Sequence, residues 1–286
     1  MIDLHTHTNI SDGTHSPEAV VRRAKEKNLS VIAITDHDIV DGVAEALQIG
    51  QEVGLRVIPG VEVSADSRAG AMHVLGYFID HQDETLRRTL KELRSYREER
   101  NPKIVRKLNE LGFDLTYDEI KTKAGYGSVG RPHFAAVMLE KGYVSSIQEA
   151  FDKYLKAGAA AYIDKKRLTP ANAIEMIQAV GGLAVMAHPI RLKLKDEADL
   201  EQLVGECVEY GLDGLEVYYS DHSPELTRRL LDLARRFELL VFGGSDFHGQ
   251  NKPHIDLGVG RGNLHIPASL LCAIEQHLRQ RSEIKQ

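Results

Sequence analysis

The chain has 286 residues, 42% of them apolar and 27% charged, with a formal net charge of −6. No apolar run approaches the roughly 18 residues of a membrane span, and the N-terminus lacks the basic region and apolar core of a secretory signal, so a cytoplasmic protein is expected. The two cysteines, Cys207 and Cys272, sit in helical apolar spacing and read as buried structural thiols, with neither a disulfide framework nor a zinc ribbon indicated.

In chain order, the first strand signal is IDLHTH, residues 2–7. SPEAVVRRAKEKNL follows as a helix, with Ser16 as N-cap, Pro17 at the first helical position and Glu18 favouring the dipole. SVIAITDHD is the second strand, VDGVAEALQIGQEVG the second helix, and RVIPGVEVS and MHVLGYFI the third and fourth strands. From about Glu84 to Leu111 a long helical stretch is predicted, interrupted near Asn101-Pro102. Further helical pieces run to about Lys166, and GYGSVG (residues 125–130) lies among them. Strand signals resume after Leu168 with LAVMAHP, GLEVYYS and LLVFGGSDFH. Strands alternating with helices predict βα units, a parallel sheet, and a barrel of residues 1–80 and 168–286 with a mainly helical insertion at 81–167. Leu86 to Arg167 holds 18 Lys/Arg against 11 Asp/Glu, a basic segment in an acidic protein. A solvated helical face accounts for such a run, and a lid attracting phosphate is the sharper reading.

Chemistry-bearing residues gather at the strand ends. His5 and His7 close the first strand, Asp36 and His37 the second and Glu62 the third. His73 lies in the fourth, His188 follows the fifth, and Asp246 and His248 follow the last. The carboxyl ends of successive parallel strands converge on one face of an α/β barrel, so residues distant in sequence meet there. His5 and His7 are two apart, so both point the same way and one ion can bind both. Imidazole with carboxylate suits zinc, manganese or iron, and open positions are the catalytic style. His15, His81, His254, His265 and His277 lack such company and read as structural or surface residues. Gly13, Gly60, Gly76, Gly243 and Gly244 read as turn residues, or as points of close backbone approach. GYGSVG has no strand before it, no P-loop or GxSxG elbow occurs, and the S-x-x-K at Ser282 is chance.

The ordered series HTH, TDH, GVE, HVLGY, AHP and SDFH resembles the PHP family, named for polymerase and histidinol phosphatase, over nearly the whole chain. The resemblance implies a distorted (β/α)7 barrel with two or three divalent metal ions, manganese foremost and zinc, iron or magnesium as alternatives. It implies one ion on His5, His7, Glu62 and Asp246. A second would be bridged by Glu62 and held by His73 and His188, and a third would lie on Asp12, His37 and His248. Asp12, in the SDG turn, stands where some relatives have histidine. Asp36 would be a partner of His37 or a proton acceptor, or simply a strand-end turn residue.

The insertion resembles the branch of stand-alone phosphoesterases acting on nucleotides such as 3′,5′-bisphosphorylated ones and on the 5′ ends of short RNA. In GRPHFAAVMLEKGYV, Arg131 and His133 would bind phosphate at a helix start opened by Pro132. Arg191 is a further candidate for substrate contact and His222 for proton transfer. Paired ions would activate water as hydroxide for in-line attack on phosphorus. The alternatives are a histidinol-phosphate phosphatase and a noncatalytic metal-binding module. Long duplex nucleic acid and membranes are not expected partners, given the acidic balance. The insertion's aromatics, including Tyr126, read mainly as core.

Overall fold

The computed structural model describes residues 1–124, 129–163 and 168–284. Tyr126 with most of GYGSVG, the end of the helical stretch at Lys166, and the side chain of Ser282 lie outside the described residues. The chain divides into two compact units, Met1–Arg87 with Leu168–Gln286, and Arg88–Arg167.

The first unit is a seven-stranded sheet in sequential order. Its elements begin with β1 (Ile2–Asp3), α1 (Pro17–Glu26), β2 (Val31–Ile34), α2 (Val43–Val53), β3 (Arg56–Ser67) and β4 (Gly70–Tyr77). Ser16 caps α1 as the sequence predicts, accepting from the Ala19 amide at 3.2 Å. β1, β2 and β3 are parallel, but β4 pairs antiparallel with β3, a correction to the all-parallel expectation. The reason is the connection: β3 ends at Ser67 and β4 starts at Gly70, and a two-residue turn joins only antiparallel strands. Gly70, at φ +88°, takes the left-handed conformation that closes it.

The second unit is helical, with α3 (Glu84–Glu110), α4 (Tyr117–Ala124), α5 (Arg131–Glu140) and the short α6 (Ile147–Ala150), which runs on into a π-turn at Phe151–Leu155. Its core gathers Ile104, Leu108, Phe134, Met138 and Leu155. The break expected at Asn101-Pro102 does not occur, because α3 continues through Pro102. Asn101 is buried and its side-chain amide donates to the Val129 carbonyl at 2.9 Å, so packing overrides the lost backbone hydrogen bond. Leu111 lies past the end of α3 and is exposed.

The first unit resumes with α7 (Pro170–Ala179), β5 (Leu183–Met186), α8 (Glu197–Glu209), β6 (Gly214–Tyr219), α9 (Pro224–Arg236), β7 (Leu240–Gly244) and α10 (Leu270–Ile284). β5 is antiparallel to β4, and the parallel direction returns through β6 and β7. The sheet then closes on itself, since Leu4 N–H donates to Gly243 O at 3.1 Å and His7 N–H to Phe247 O at 2.9 Å. The result is a distorted (β/α)7 barrel, filled inside by side chains such as Tyr77 and Phe242, stacked 4.7 Å apart.

Two smaller expectations change. Cys207 is buried in α8, whereas Cys272 is exposed, because it falls on the outer side of α10. Gly60, Gly76, Gly243 and Gly244 lie within strands and do not form turns. A Cβ on Gly244 would stand 2.1 Å from the Cβ of His5, so this glycine lets β7 approach the chain beyond β1 closely enough to close the barrel.

Candidate metal centre

The sheet brings all nine residues of the proposed metal-binding set together, Glu62 and His73 from within β3 and β4, Asp12 from the loop before α1 and the others from beyond strand ends. Glu62, near the middle of β3, is fully buried and is the hub. Its Oε2 lies 3.2 Å from His5 Nε2, 3.1 Å from His7 Nε2 and 3.1 Å from His37 Nδ1. Its Oε1 lies 2.7 Å from His73 Nδ1 and 2.8 Å from His188 Nε2. One carboxylate thus touches five imidazoles. His73 reaches it only because β4 is reversed, which places the start of β4, with His73 opposite Ser64, beside the second half of β3.

Asp246 and Asp12 flank the hub. Asp246 Oδ1 lies 3.3 Å from His7 Nε2 and 3.3 Å from His248 Nδ1. Asp12 Oδ1 lies 3.2 Å from His248 Nε2, and its Oδ2 lies 3.7 Å from His37 Nε2. Four overlapping groups have ligand atoms within 4.8 Å of one another: His7, Asp12, His37 and His248; His5, Glu62 and His188; His5, His7 and Asp246; His37, Glu62 and His73. His7 therefore sits with the Asp12 set as well, and His37 lies against Glu62, so the groups overlap more than the motif-by-motif assignment.

The donor set fits divalent cations. The ring nitrogens His5 Nε2 and His7 Nε2 face each other at 3.1 Å with carboxylate oxygens of Glu62 and Asp246 beside them, an arrangement that needs positive charge between its members. Buried His7 Nδ1 has no hydrogen-bond partner among the described residues. Protonation reflects the same demand. Burial pulls the His7 imidazole down, but Asp246 and Glu62 outweigh it and raise it to about 9. His5 is likewise raised well above its usual range, against its burial, by Glu216, Glu62 and Asp246. Burial dominates at His37, which falls to about 3 despite Glu62 and Asp12. Glu62, although desolvation opposes it, stays well below the usual carboxylate range because of the imidazoles around it, His5 and the hydrogen-bonded His188 among them. The carboxylates around His5 and His7 favour positive charge at this point, which divalent cations would supply when bound.

Supporting contacts fix the geometry, and three of the groups making them were not foreseen. Glu216 on β6 is fully buried, with Oε1 2.8 Å from His5 Nδ1 and Oε2 accepting the His188 amide at 2.7 Å. Tyr219 donates to Asp246 Oδ2 at 2.8 Å, and Lys252 Nζ lies 2.6 Å from the same oxygen. His188 and Asp246 hold positive φ angles of +26° and +60°, unfavourable for side chains of this size and kept by these surroundings. A charged residue inside the apolar run GLEVYY was the available signal for Glu216. Lys252 follows a 3₁₀ turn with no periodic pattern to betray it.

The remaining candidates are placed as follows. Asp36 is buried and accepts from Thr8 N at 2.7 Å, Thr8 Oγ1 at 2.6 Å and Ser11 Oγ at 2.6 Å, so it anchors the loop leading to Asp12. His222 is buried, its Nδ1 2.9 Å from Val217 O and its ring 5.1 Å from that of Tyr219, and burial lowers its pKa. Arg191 donates through Nε to Tyr219 Oη at 2.8 Å and lies with NH2 3.9 Å from Asp246 Oδ2. Arg131 and His133 belong to the helical unit. Arg131 donates to Leu155 O at 3.0 Å with its guanidinium 5.5 Å from the Tyr162 ring centre, and His133 Nδ1 accepts the Gly130 amide at 2.9 Å.

A barrel whose strand ends surround a carboxylate hub with imidazoles defines a metal-dependent hydrolase. The PHP domain family matches residues 3–242, and the chain belongs to that family. It is 36% identical to the 5′-3′ exoribonuclease Rnm of Escherichia coli, over 94% of this chain and 90% of the relative. It is 31% identical to the 3′,5′-nucleoside bisphosphate phosphatase of Chromobacterium violaceum, over 90% of this chain and 90% of the relative. A crystal structure from Bifidobacterium adolescentis, assigned as a metal-dependent phosphoesterase, superposes with a TM-score of 0.77 at 31% identity, covering 96% of this chain and 94% of that one. The protein is a metal-dependent phosphoesterase.

Proposed function

We propose that the protein hydrolyses phosphate esters of nucleotides, such as 3′,5′-bisphosphorylated ones, or trims short RNA from its 5′ end. The observation that carries this is the Glu62 carboxylate meeting five imidazoles between Asp12 and Asp246. Manganese is the ion we assign first, with zinc, iron and magnesium as alternatives, since a set of imidazole and carboxylate without thiolate accommodates each of them. His5, His7, Glu62 and Asp246 would hold one ion, Glu62 with His73 and His188 a second, and Asp12, His37 and His248 a third. When bound, the ions supply Lewis acidity and lower the pKa of water toward neutrality.

The chain's own groups do the rest. Glu216 keeps His5 in the tautomer that presents Nε2 to the hub. Asp36 holds the Asp12 loop. Arg131 and His133, in the basic helical unit, would neutralise phosphate charge, and Arg191 in the barrel is a further candidate contact. His222 serves proton transfer. Among the described residues no helix is long and apolar enough to cross a membrane. A cytoplasmic site of action is part of this proposal.

The test is a phosphate-release panel with Mn²⁺. Adenosine 3′,5′-bisphosphate or 5′-phosphorylated short RNA should be turned over, and Arg131→Ala should lose activity while keeping its metal. Turnover of histidinol phosphate alone would replace this reading with the alternative.

A further inference from the structure

Of the three carboxylates in the set, Asp246 alone divides its oxygens between different surroundings. Glu62 turns both oxygens to imidazoles, and so does Asp12, through His248 and His37. Asp246 turns only Oδ1 to the cluster, 3.3 Å from His7 Nε2 and 3.3 Å from His248 Nδ1. Its Oδ2 is taken by Lys252 Nζ at 2.6 Å and Tyr219 Oη at 2.8 Å, with Arg191 NH2 at 3.9 Å.

Lys252 is delivered there by a fixed backbone. After His248 the chain turns at Gly249, φ +62°, where a Cβ would stand 2.2 Å from Thr14 Oγ1. The Gln250 amide donates to Thr14 Oγ1 at 2.9 Å and the Asn251 side-chain amide to the Asp12 carbonyl at 2.8 Å, tying this turn to the loop that carries Asp12. The Lys252 and Asp246 side chains are 28% and 4% exposed, so their contact is not one of the fully solvated ion pairs that count for little. A cation on Oδ1 and the ammonium on Oδ2 would share one negative charge, and like charges a carboxylate's width apart repel strongly in a partly buried setting.

We infer that Lys252 lowers the affinity of the ion position formed by His5, His7, Glu62 and Asp246, by opposing the cation's charge and confining Asp246 to one oxygen. Lys252 is thus a positioning residue, acting through the carboxylate and not on the reacting atoms. A carboxylate that binds through one oxygen leaves more of the ion's coordination sphere open to water or a phosphate oxygen, in exchange for looser binding. Tyr219 keeps the carboxylate oriented when the ammonium is removed, so loss of Lys252 strengthens binding. This rests on the assignment of an ion to these four ligands and on no particular substrate.

The experiment titrates Mn²⁺ into the chelator-stripped full chain by calorimetry, with His7→Ala identifying the phase that belongs to this position. In Lys252→Met that phase should tighten roughly tenfold or more, the sense expected when a like charge is removed. Lys252→Gln keeps a donor near Oδ2 without the charge and should tighten in the same sense, even if the methionine variant fails to fold. Lys252→Arg keeps the charge and should stay within about threefold of wild type. A lysine that merely props the ligand predicts the opposite sign, because a loosened ligand binds metal less well. Weaker or unchanged binding in the neutral variants, or equal tightening in Lys252→Arg, would overturn the inference alone. If the wild type shows no Mn²⁺ phase that depends on His7, the ion assignment itself fails and the inference falls with it.

Discussion

Glu216 joins two parts of the metal centre: one oxygen meets Nδ1 of His5 at 2.8 Å while the other accepts the backbone amide of His188 at 2.7 Å. His5 lies beyond β1 and His188 beyond β5, and His188 has a strained backbone. A single buried carboxylate thus sets a tautomer on one ligand and a main-chain conformation on another.

Glu216→Gln keeps the shape and removes the charge. Its amide presents a donor to one of two groups that each need an acceptor. We expect metal affinity to fall roughly 10- to 100-fold, read by titrating Mn²⁺ into chelator-stripped protein. An unchanged isotherm would show that His5 is held by other means.

Asp36 satisfies three donors from Thr8 and Ser11 in a buried setting. Asp36→Ala leaves those donors without their acceptor and should cost about 2–4 kcal/mol of stability. The loss should also loosen the Asp12 loop, lowering metal stoichiometry at that group before the others. Urea unfolding and metal analysis of the same sample check both parts.

Gly244→Ala would drive a methyl group into the His5 backbone and Cβ where the barrel closes. Backbone contacts of this kind cannot rotate away, so the variant should lose about 3 kcal/mol or more. Soluble protein with wild-type thermal stability would mean that β7 and the segment after β1 can separate without cost.

Much of this site is legible in the sequence because apolar strands end in His, Asp or Glu, and a barrel collects strand ends. His5, His7, His37, His188, Asp246 and His248 follow from that rule, whereas Glu62, expected to close β3, lies near its middle because the strand runs on to Ser67 to pair with β4. The direction of β4 does not, since His73 looks alike in a parallel or antiparallel strand. Only the two-residue gap between Ser67 and Gly70 betrays it. Asp12 lies in a loop with no period, and resemblance alone pointed to it. Glu216 is hidden because a lone carboxylate in a strand ordinarily faces solvent, and Lys252 because its neighbours adopt a 3₁₀ turn. The helix through Pro102 shows packing around Asn101 outweighing a local breaker.

The central claim is that the Glu62-centred cluster, filled with divalent ions, hydrolyses phosphate esters. The most direct measurement follows phosphate release from adenosine 3′,5′-bisphosphate while Mn²⁺ is restored to chelator-stripped wild type, His7→Ala and Asp246→Ala. The account predicts no release without metal, recovery in the wild type as ions bind, and failure of both variants through loss of the same ion. Full activity in the stripped protein, or in metal-loaded Asp246→Ala, would contradict it.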